Sequence, residues 1–229
     1  MRDRPDLEPA TRVLAPPRRV LTVAGSPRAT DPVLTERLRL TPVSVEHADE
    51  LRRLYADPLV DRWTGPWTPA EVDAWARAMA ARWVRDGVGK WMAHDRADGT
   101  LVGRGGLTRI DLAGESVLEV GWVVRDALTG RGYATEIGRA ALRWASTFFP
   151  TVPVVAFTEV HNEASVAVMR RLGLRDAGVL RRAGLVAGKA GLQADAPFAL
   201  YRQEPERSRP SSRPNPARRR DDGAAAERG

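Results

Sequence analysis

The chain has 229 residues, of which 43% are hydrophobic, and this size suits one domain with a single substantial core. It contains no cysteine and three histidines, which excludes disulfides, thiolate metal sites and a cysteine nucleophile, so we expect no metal. The formal charge is +7, and arginine supplies nearly all the positive charge.

Both ends of the chain mix proline, arginine and small residues without a sustained period. We therefore expect residues 1–32 and 203–229 to be disordered around a folded domain at 33–202. No aromatic-plus-basic motif accompanies the charge, so we do not expect nucleic acid as a partner, although an arginine-tailed nucleic-acid binder stays as an alternative. No apolar run reaches the roughly 20 residues of a membrane helix, so we expect a cytoplasmic protein without membrane contact, either a monomer or a homodimer.

The first half of the domain is predicted to contain one strand, two helices and an antiparallel meander. Leu34 to Leu40 has strand character, and Ser44 caps a helix with apolar residues at helical spacing up to Tyr55. The residues Thr68-Pro69-Ala70-Glu71 form a capping box that opens a second helix. Its predicted buried face consists of Val72, Trp75, Met79 and Trp83, and the meander comprises strands near 90–95, 101–110 and 117–124.

The second half changes to alternating strands and helices. A helix begins near Gly132, a continuous apolar strand covers 152–158, and Asn162 caps a helix that stops at Gly173. Two strands, near 176–180 and 198–202, complete the domain. The predicted order is β-α-α-β-β-β-α-β-α-β-β, an α/β fold in which helices flank a mixed sheet.

The segment from Gly121 to Glu136 is predicted to bind a phosphorylated cofactor. It runs from an apolar strand through Gly130 and Gly132 into a helix, whose unpaired N–H groups and dipole favour an anion, and Arg131 adds a full charge. One alternative is a simple tight turn. A dinucleotide-binding turn is a second alternative, but its third glycine would fall at Thr135 and its acidic residue near Phe149 and Pro150.

Four motifs in order resemble those of the GCN5-related N-acetyltransferases (GNAT), and within them the type that acetylates ribosomal-protein N-termini. The resemblance covers roughly Val33 to Arg202. Ala127 departs from the usual Gln or Arg before the loop, so side-chain contact with the cofactor would fall mainly to Arg131. The matching motifs are Thr35-Glu36-Arg37-Leu38-Arg39-Leu40, Glu119-Val120-Gly121-Trp122, Gly130-Arg131-Gly132-Tyr133-Ala134-Thr135-Glu136, and Asn162-Glu163-Ala164-Ser165 followed by Met169-Arg170-Arg171-Leu172-Gly173-Leu174.

The resemblance implies direct acetyl transfer from acetyl-CoA to an amine, in a wedge where the central strand splays from the next parallel strand. Glu119 would act as base, directly or through water, and Ser165 as the acid near the sulfur, because the tyrosine of many relatives is replaced here by Val168 and Met169. The implied cofactor contacts are Trp122, Val123, Val124, Thr129, Gly130, Arg131, Gly132, Tyr133, Ala134, Asn162 and Ser165.

The acceptor side is less determined by the sequence. Trp63 and Trp67, in the loop between the first two helices, and Asp195, just before the last strand, are the candidate acceptor-binding residues. Glu119 could instead be a strand carboxylate paired with an arginine, and the tryptophans could serve packing alone. The acceptor could be a protein N-terminus, an amino acid or polyamine, or an aminoglycoside-like molecule. A non-catalytic acyl-CoA-binding regulator is the alternative of another class.

Overall fold

The computed structural model describes residues 31–189, 191 and 193–205. The predicted disordered ends therefore lie outside the described residues, apart from residues 31–32 and 203–205. The described residues form one eight-stranded sheet and five α-helices. The strands are β1 (Val33–Leu34), β2 (Leu38–Pro42), β3 (Lys90–Asp95), β4 (Leu101–Leu112), β5 (Glu115–Val124), β6 (Val154–Glu159), β7 (Arg175–Gly184) and β8 (Gln193–Gln203). The helices are α1 (Ala48–Tyr55), α2 (Pro58–Thr64), α3 (Pro69–Asp86), α4 (Tyr133–Phe148) and α5 (Glu163–Arg171).

The sheet has the order β1-β2-β3-β4-β5-β6-β8-β7. Every neighbouring pair of strands is antiparallel except β5 and β6, which are parallel and are connected by α4. This parallel pair is short, because only Leu118 pairs with Val154 and Glu119 with Val155. Beyond Glu119 the two strands separate, which confirms the predicted mixed α/β fold with a splayed parallel pair.

One face of the sheet packs against α4 and α5. Ile137 and Ala141 of α4 and Met169 of α5 join Leu118 and Val120 of β5 in the largest apolar cluster. Since side chains alternate along a strand, Glu119 between these two residues points to the opposite face. The side chains of β5 therefore alternate between the apolar core on one face of the sheet and Glu119 on the other.

The opposite face is covered by α1, α2 and α3. Leu51 of α1, Val60 of α2 and Met79 of α3 are buried together with Met92 of β3. The capping box at Thr68 is present, with its side chain accepting from Glu71 N–H and the Glu71 carboxylate accepting from Thr68 N–H. Both predicted helices of this half are present, and the buried face of the second is as predicted. Ser44 precedes a 3-10 turn at Val45–His47 instead of capping α1, which begins at Ala48.

The structure corrects several predicted bounds: β6 begins at Val154, β7 continues to Gly184, and β8 begins at Gln193. The predicted strand from Leu34 to Leu40 is two strands with a turn between them, and β8 extends one residue past the predicted domain end at 202. The helix α2 occupies part of what was predicted as a loop. Its signal was present in the sequence, since Asp57 caps the helix by accepting from Leu59 N–H and Pro58 occupies the first position.

Candidate functional site

The gap between β5 and β6 exposes backbone N–H groups. Leu118 N–H donates to the Pro153 carbonyl at 2.9 Å, so it faces β6. Because backbone groups alternate along a strand, the N–H groups of Trp122 and Val124 face the same side, where β6 no longer pairs. Within the described part of the chain, neither N–H has a strand partner on that side, where the family resemblance leads us to expect amides that bind the cofactor. The N–H of Val123 faces β4, so this residue offers the gap its side chain only.

A groove of about 760 Å³ runs along this gap to the start of α4. It gathers the predicted cofactor-binding residues apart from Arg131, whose side chain is exposed at its edge. The wall opposite the loop is α2, through Leu59, Val60 and Trp63. The predicted residues in the lining are Trp122, Val123, Val124, Thr129, Gly130, Gly132, Tyr133, Ala134, Asn162 and Ser165.

The loop before α4 requires its two glycines. Gly130 has φ 72° and Gly132 has φ 84°, a left-handed backbone that other residues adopt only with strain. No side chain caps α4, and the first intrahelical bond runs from Glu136 N–H to the Gly132 carbonyl at 3.0 Å. The N–H groups of the first helical turn are therefore unpaired within the described residues and point out of the helix start, where an anion is favoured.

The first turn of the domain fixes this loop in place. The Glu136 carboxylate accepts from the Thr35 hydroxyl at 2.6 Å and from the Arg37 backbone N–H at 2.8 Å, and it pairs with the Arg37 guanidinium at 2.7 Å. The same guanidinium donates to the Arg131 carbonyl at 2.9 Å. Burial raises the pKa of Glu136, but the bonds from Thr35 and Arg37 outweigh it and hold that pKa below its ordinary value.

Replacing Glu136 with glutamine is expected to lower the free energy of unfolding by about 2 kcal/mol at pH 7, because the charged partner of Arg37 is lost. The depressed pKa stabilises the fold above about pH 4.5, and this contribution is lost as the pH falls through the folded-state pKa. Denaturant unfolding of wild type and variant at pH 7 and pH 4 should show the difference shrinking with acidity. A difference independent of pH would contradict this account.

Two predicted contacts use their side chains locally. The Tyr133 hydroxyl donates to Asp95 Oδ2 at 2.7 Å, which raises the pKa of Tyr133, and the Arg37 guanidinium lies 4.5 Å from the ring centre. The Thr129 hydroxyl donates to the Asp126 carbonyl at 2.8 Å. The side-chain hydroxyls of these two residues are therefore engaged within the protein, and both residues line the groove.

A second depression adjoins the loop and is rich in arginine. It lies between the turn at Thr35 and the solvent side of α4, and it contacts Gly132. Arg171 lines both this depression and the main groove. The cationic residues in its lining are Arg37, Arg139, Arg143 and Arg171.

A smaller cleft of about 240 Å³ lies on the α1–α3 face of the sheet, with an ion pair in it. Lys90 Nζ stands 2.9 Å from Glu119 Oε2, and Lys90 is only 3% exposed. A Cβ on Gly121 would stand 2.7 Å from Glu119 Oε1 and 3.2 Å from Lys90 Nζ, so this glycine leaves room for the pair. The predicted carboxylate is in place, and its partner is a lysine of β3 instead of an arginine.

The groove and the cleft meet at the start of α5. Asn162 is 7% exposed and caps α5 by accepting from the Ser165 N–H at 3.2 Å, as predicted. Both residues line the groove and the cleft, as do Trp63 and Trp122. Ser165 therefore lies where ligands of the two cavities would meet.

The predicted acceptor residues are placed differently from one another. Trp63 lies on α2, not in a loop, and its ring centre is 5.2 Å from that of His161. Trp67 does lie in a loop and stacks on Tyr55 at 4.5 Å, and both tryptophans line the cleft. Asp195 is inside β8 and not before it. Its exposed carboxylate pairs with Arg181 at 3.0 Å, and it is not in the lining of the cleft.

Several lining residues escaped the sequence reasoning. Lys90 and Arg104 stand on β3 and β4, Glu159 ends β6, and Arg182 lies on β7. Charged residues on strands give no local motif, and only the sheet order brings these four strands around one cleft.

The described residues contain no group of three or more His, Asp or Glu side chains arranged to hold a metal ion. Within the same part of the chain, no helix is long and apolar enough to cross a membrane.

Comparison with known proteins gives one family and many structural relatives. The family model described as "Acetyltransferase (GNAT) domain" matches residues 37–175. "Uncharacterized protein YkkB" of Bacillus subtilis (strain 168) is 27% identical over 96 residues, which cover 42% of this chain and 56% of YkkB. The match thus spans about half of that curated relative.

Two solved structures illustrate the likeness in fold. An acetyltransferase from Agrobacterium tumefaciens str. C58 has a TM-score of 0.59 and 25% identity, over 76% of this chain and 94% of that one. RimL, a ribosomal L7/L12 alpha-N-protein acetyltransferase solved with coenzyme A, has a TM-score of 0.63 and 15% identity, over 76% and 98%. At 15% identity the likeness to RimL shows a shared fold alone.

Proposed function

The chain belongs to the GNAT acetyltransferase family, as its motifs predict, and we propose that it moves an acetyl group from acetyl-CoA directly to a primary amine. The amine belongs to a protein N-terminus or a small molecule. RimL, which shares the fold, binds coenzyme A and acts on a protein N-terminus. The observation that carries the proposal is the meeting of the groove and the cleft at Trp122, Asn162 and Ser165.

The groove suits acetyl-CoA along its whole length. The unpaired N–H groups after Gly132 and the side chain of Arg131 bind the pyrophosphate, and the adjoining arginine depression adds positive charge for the nucleotide end. The free N–H of Val124 binds a pantetheine amide in the manner of an added strand, which leaves the N–H of Trp122 for the thioester. The thioester then lies at the junction with the cleft.

The chemistry divides among three groups of the chain. Glu119 accepts the proton that the amine must lose, directly or through water. The Trp122 N–H donates to the thioester oxygen, on which negative charge develops during attack. The Ser165 hydroxyl protonates the departing sulfur and recovers its proton from solvent. Holding both reactants at one junction supplies the proximity that direct transfer needs.

Release of the coenzyme A thiol, measured with acetyl-CoA and a panel of amines, tests the proposal. The panel comprises peptides with free N-termini, amino acids, a polyamine and an aminoglycoside. We expect at least one amine to raise thiol release above the rate without acceptor, with the acetylated amine detected by mass spectrometry. Tight acetyl-CoA binding without turnover on any amine would favour the acyl-CoA-binding regulator instead.

Replacing Ser165 with alanine is expected to lower kcat by about 10-fold, because a thiolate is a weak base and water partly replaces the hydroxyl. The Kd for acetyl-CoA should stay within about threefold, since the Asn162 cap uses the Ser165 backbone and not its hydroxyl. Steady-state kinetics and calorimetry measure the two quantities. Unchanged kcat would mean that water protonates the sulfur.

A further inference from the structure

The cleft contains a cation without a carboxylate partner. The guanidinium of Arg104, on β4, is half-buried in the cleft lining. Its Nε donates to the Tyr55 hydroxyl at 2.8 Å, and its carbon lies 4.6 Å from the centre of the Trp75 ring. Among the residues that the structure describes, no carboxylate lies within 4.0 Å of the Arg104 guanidinium. No atom of these residues accepts a hydrogen bond from the Arg104 Nη groups. The aromatic rings orient a fork of free donors.

The other charges of the cleft do not neutralise Arg104. Lys90 and Glu119 compensate each other in their ion pair. Glu159 and Arg182, on β6 and β7, also line the cleft, and their charges are opposite, so they add no net charge to it. Removing a guanidinium from water without an anion is costly, and its planar fork fits a carboxylate with two parallel bonds. The cleft is therefore complementary to a ligand that brings a negative charge.

The same cleft holds a second donor, the buried indole Nε1 of Trp67, which has no hydrogen-bond partner among the described residues. The Trp67 ring stacks on Tyr55, and the Arg104 guanidinium lies 5.4 Å from the centre of that Tyr55 ring. Both donors thus contact one tyrosine.

The strand register sets the spacing between Arg104 and the proposed base. Arg104 pairs with Val123 and Gly106 with Gly121, two residues along β4 on the same face. The Glu119 carboxylate leans over Gly121. Because two residues along a strand span about 7 Å, the Arg104–Val123 pair lies about 7 Å from the Gly106–Gly121 pair. An amine at Glu119 and a carboxylate at Arg104 can therefore belong to one small molecule or to one terminal residue.

We infer that the acceptor is a primary amine that carries a carboxylate close to the amine, and that Arg104 binds this carboxylate. The inference rests on the proposed acetyl transfer and specifies its acceptor. Polyamines and aminoglycosides, which are polycations, are disfavoured by the free guanidinium. A free amino acid and a peptide with an acidic first residue share the required chemistry.

The test compares acceptors that differ only in the carboxylate. Free amino acids are paired with their uncharged amides, and peptides beginning with Asp or Glu with those beginning with Asn or Gln, with spermidine as the polycation. In the wild-type protein we expect kcat/KM to be about 10- to 100-fold higher for the acid of a pair. The pair that shows the preference identifies whether the carboxylate comes from a free amino acid or from a peptide side chain.

The variant Arg104→Gln should abolish this preference, whereas Arg109→Gln, which removes an arginine of β4 outside the cleft, should keep it. Acetyl-CoA affinity shows whether both variants fold. If Arg104→Gln does not fold, the preference of the wild-type protein for acids over amides still tests the inference. Amides or spermidine acetylated as well as the acids would overturn the inference while leaving acetyl transfer intact. No acetylation of any amine would overturn both.

Discussion

Replacing Glu119 with glutamine is expected to lower kcat by about 10²- to 10⁴-fold while acetyl-CoA still binds, because the amine loses its proton acceptor. Glutamine keeps the size of the side chain and an oxygen for Lys90, which stands 2.9 Å from the carboxylate. The loss should therefore fall on turnover and not on the Kd of acetyl-CoA. Single-turnover acetylation at saturating acetyl-CoA measures the chemical step without product release.

Lys90→Met is the matched control, because it breaks the same ion pair from the other side. Glu119→Gln leaves the buried charge of Lys90 unpaired and Lys90→Met leaves the partly buried charge of Glu119 unpaired, so both variants should lower stability. Only Glu119→Gln removes the carboxylate that accepts the proton, so only this variant should show the large loss of kcat. If Lys90→Met lowers kcat as much as Glu119→Gln, Glu119 acts through the ion pair and not as a base.

Replacing Gly132 with valine is expected to raise the Kd for acetyl-CoA by at least about 10-fold, equivalent to about 1.4 kcal/mol. The residue has φ 84°, which a β-branched side chain adopts only with strain, and the strain disturbs the amides that follow it. An added Cβ would also stand 3.5 Å from Arg37 Nη2, in the guanidinium that donates to the Arg131 carbonyl. Calorimetric titration with acetyl-CoA gives the affinity.

Gly99→Val provides the control for this strain. Gly99 has φ 74° and lies in the turn between β3 and β4, where an added Cβ would meet nothing within 4 Å. It is not in the lining of the groove. Both variants should lose similar stability, and only Gly132→Val should lose affinity. Wild-type affinity in Gly132→Val would show that the pyrophosphate binds elsewhere.

Local signals were sufficient for most of the fold. The capping box at Thr68, the cap at Asn162 and the stop at Gly173 are each contained within a few residues. The loop before α4 follows the same rule, because its glycines and the helix start are adjacent in sequence. The α-helix α2, which the sequence analysis missed, had a local signal in Asp57 and Pro58.

The partners of the site residues could not be predicted in the same way. Lys90 and Glu119 are joined by the register of β3, β4 and β5, and the bond from Thr35 to Glu136 spans the domain from its first turn to α4. Such pairs depend on tertiary packing, for which the sequence carries no fixed spacing. The free donors of Arg104 likewise emerge only from the arrangement of Tyr55 and Trp75 around it.

The cleft and the groove, which we propose bind the acceptor and the cofactor, share Ser165 and Trp122, so transfer should require both ligands at once. Initial rates of thiol release, measured with acetyl-CoA and the preferred amine both varied, test this directly. Direct transfer in one complex predicts intersecting double-reciprocal lines and no acetylated protein in the absence of amine. Parallel lines, together with an acetylated form of the protein isolated without amine, would contradict it.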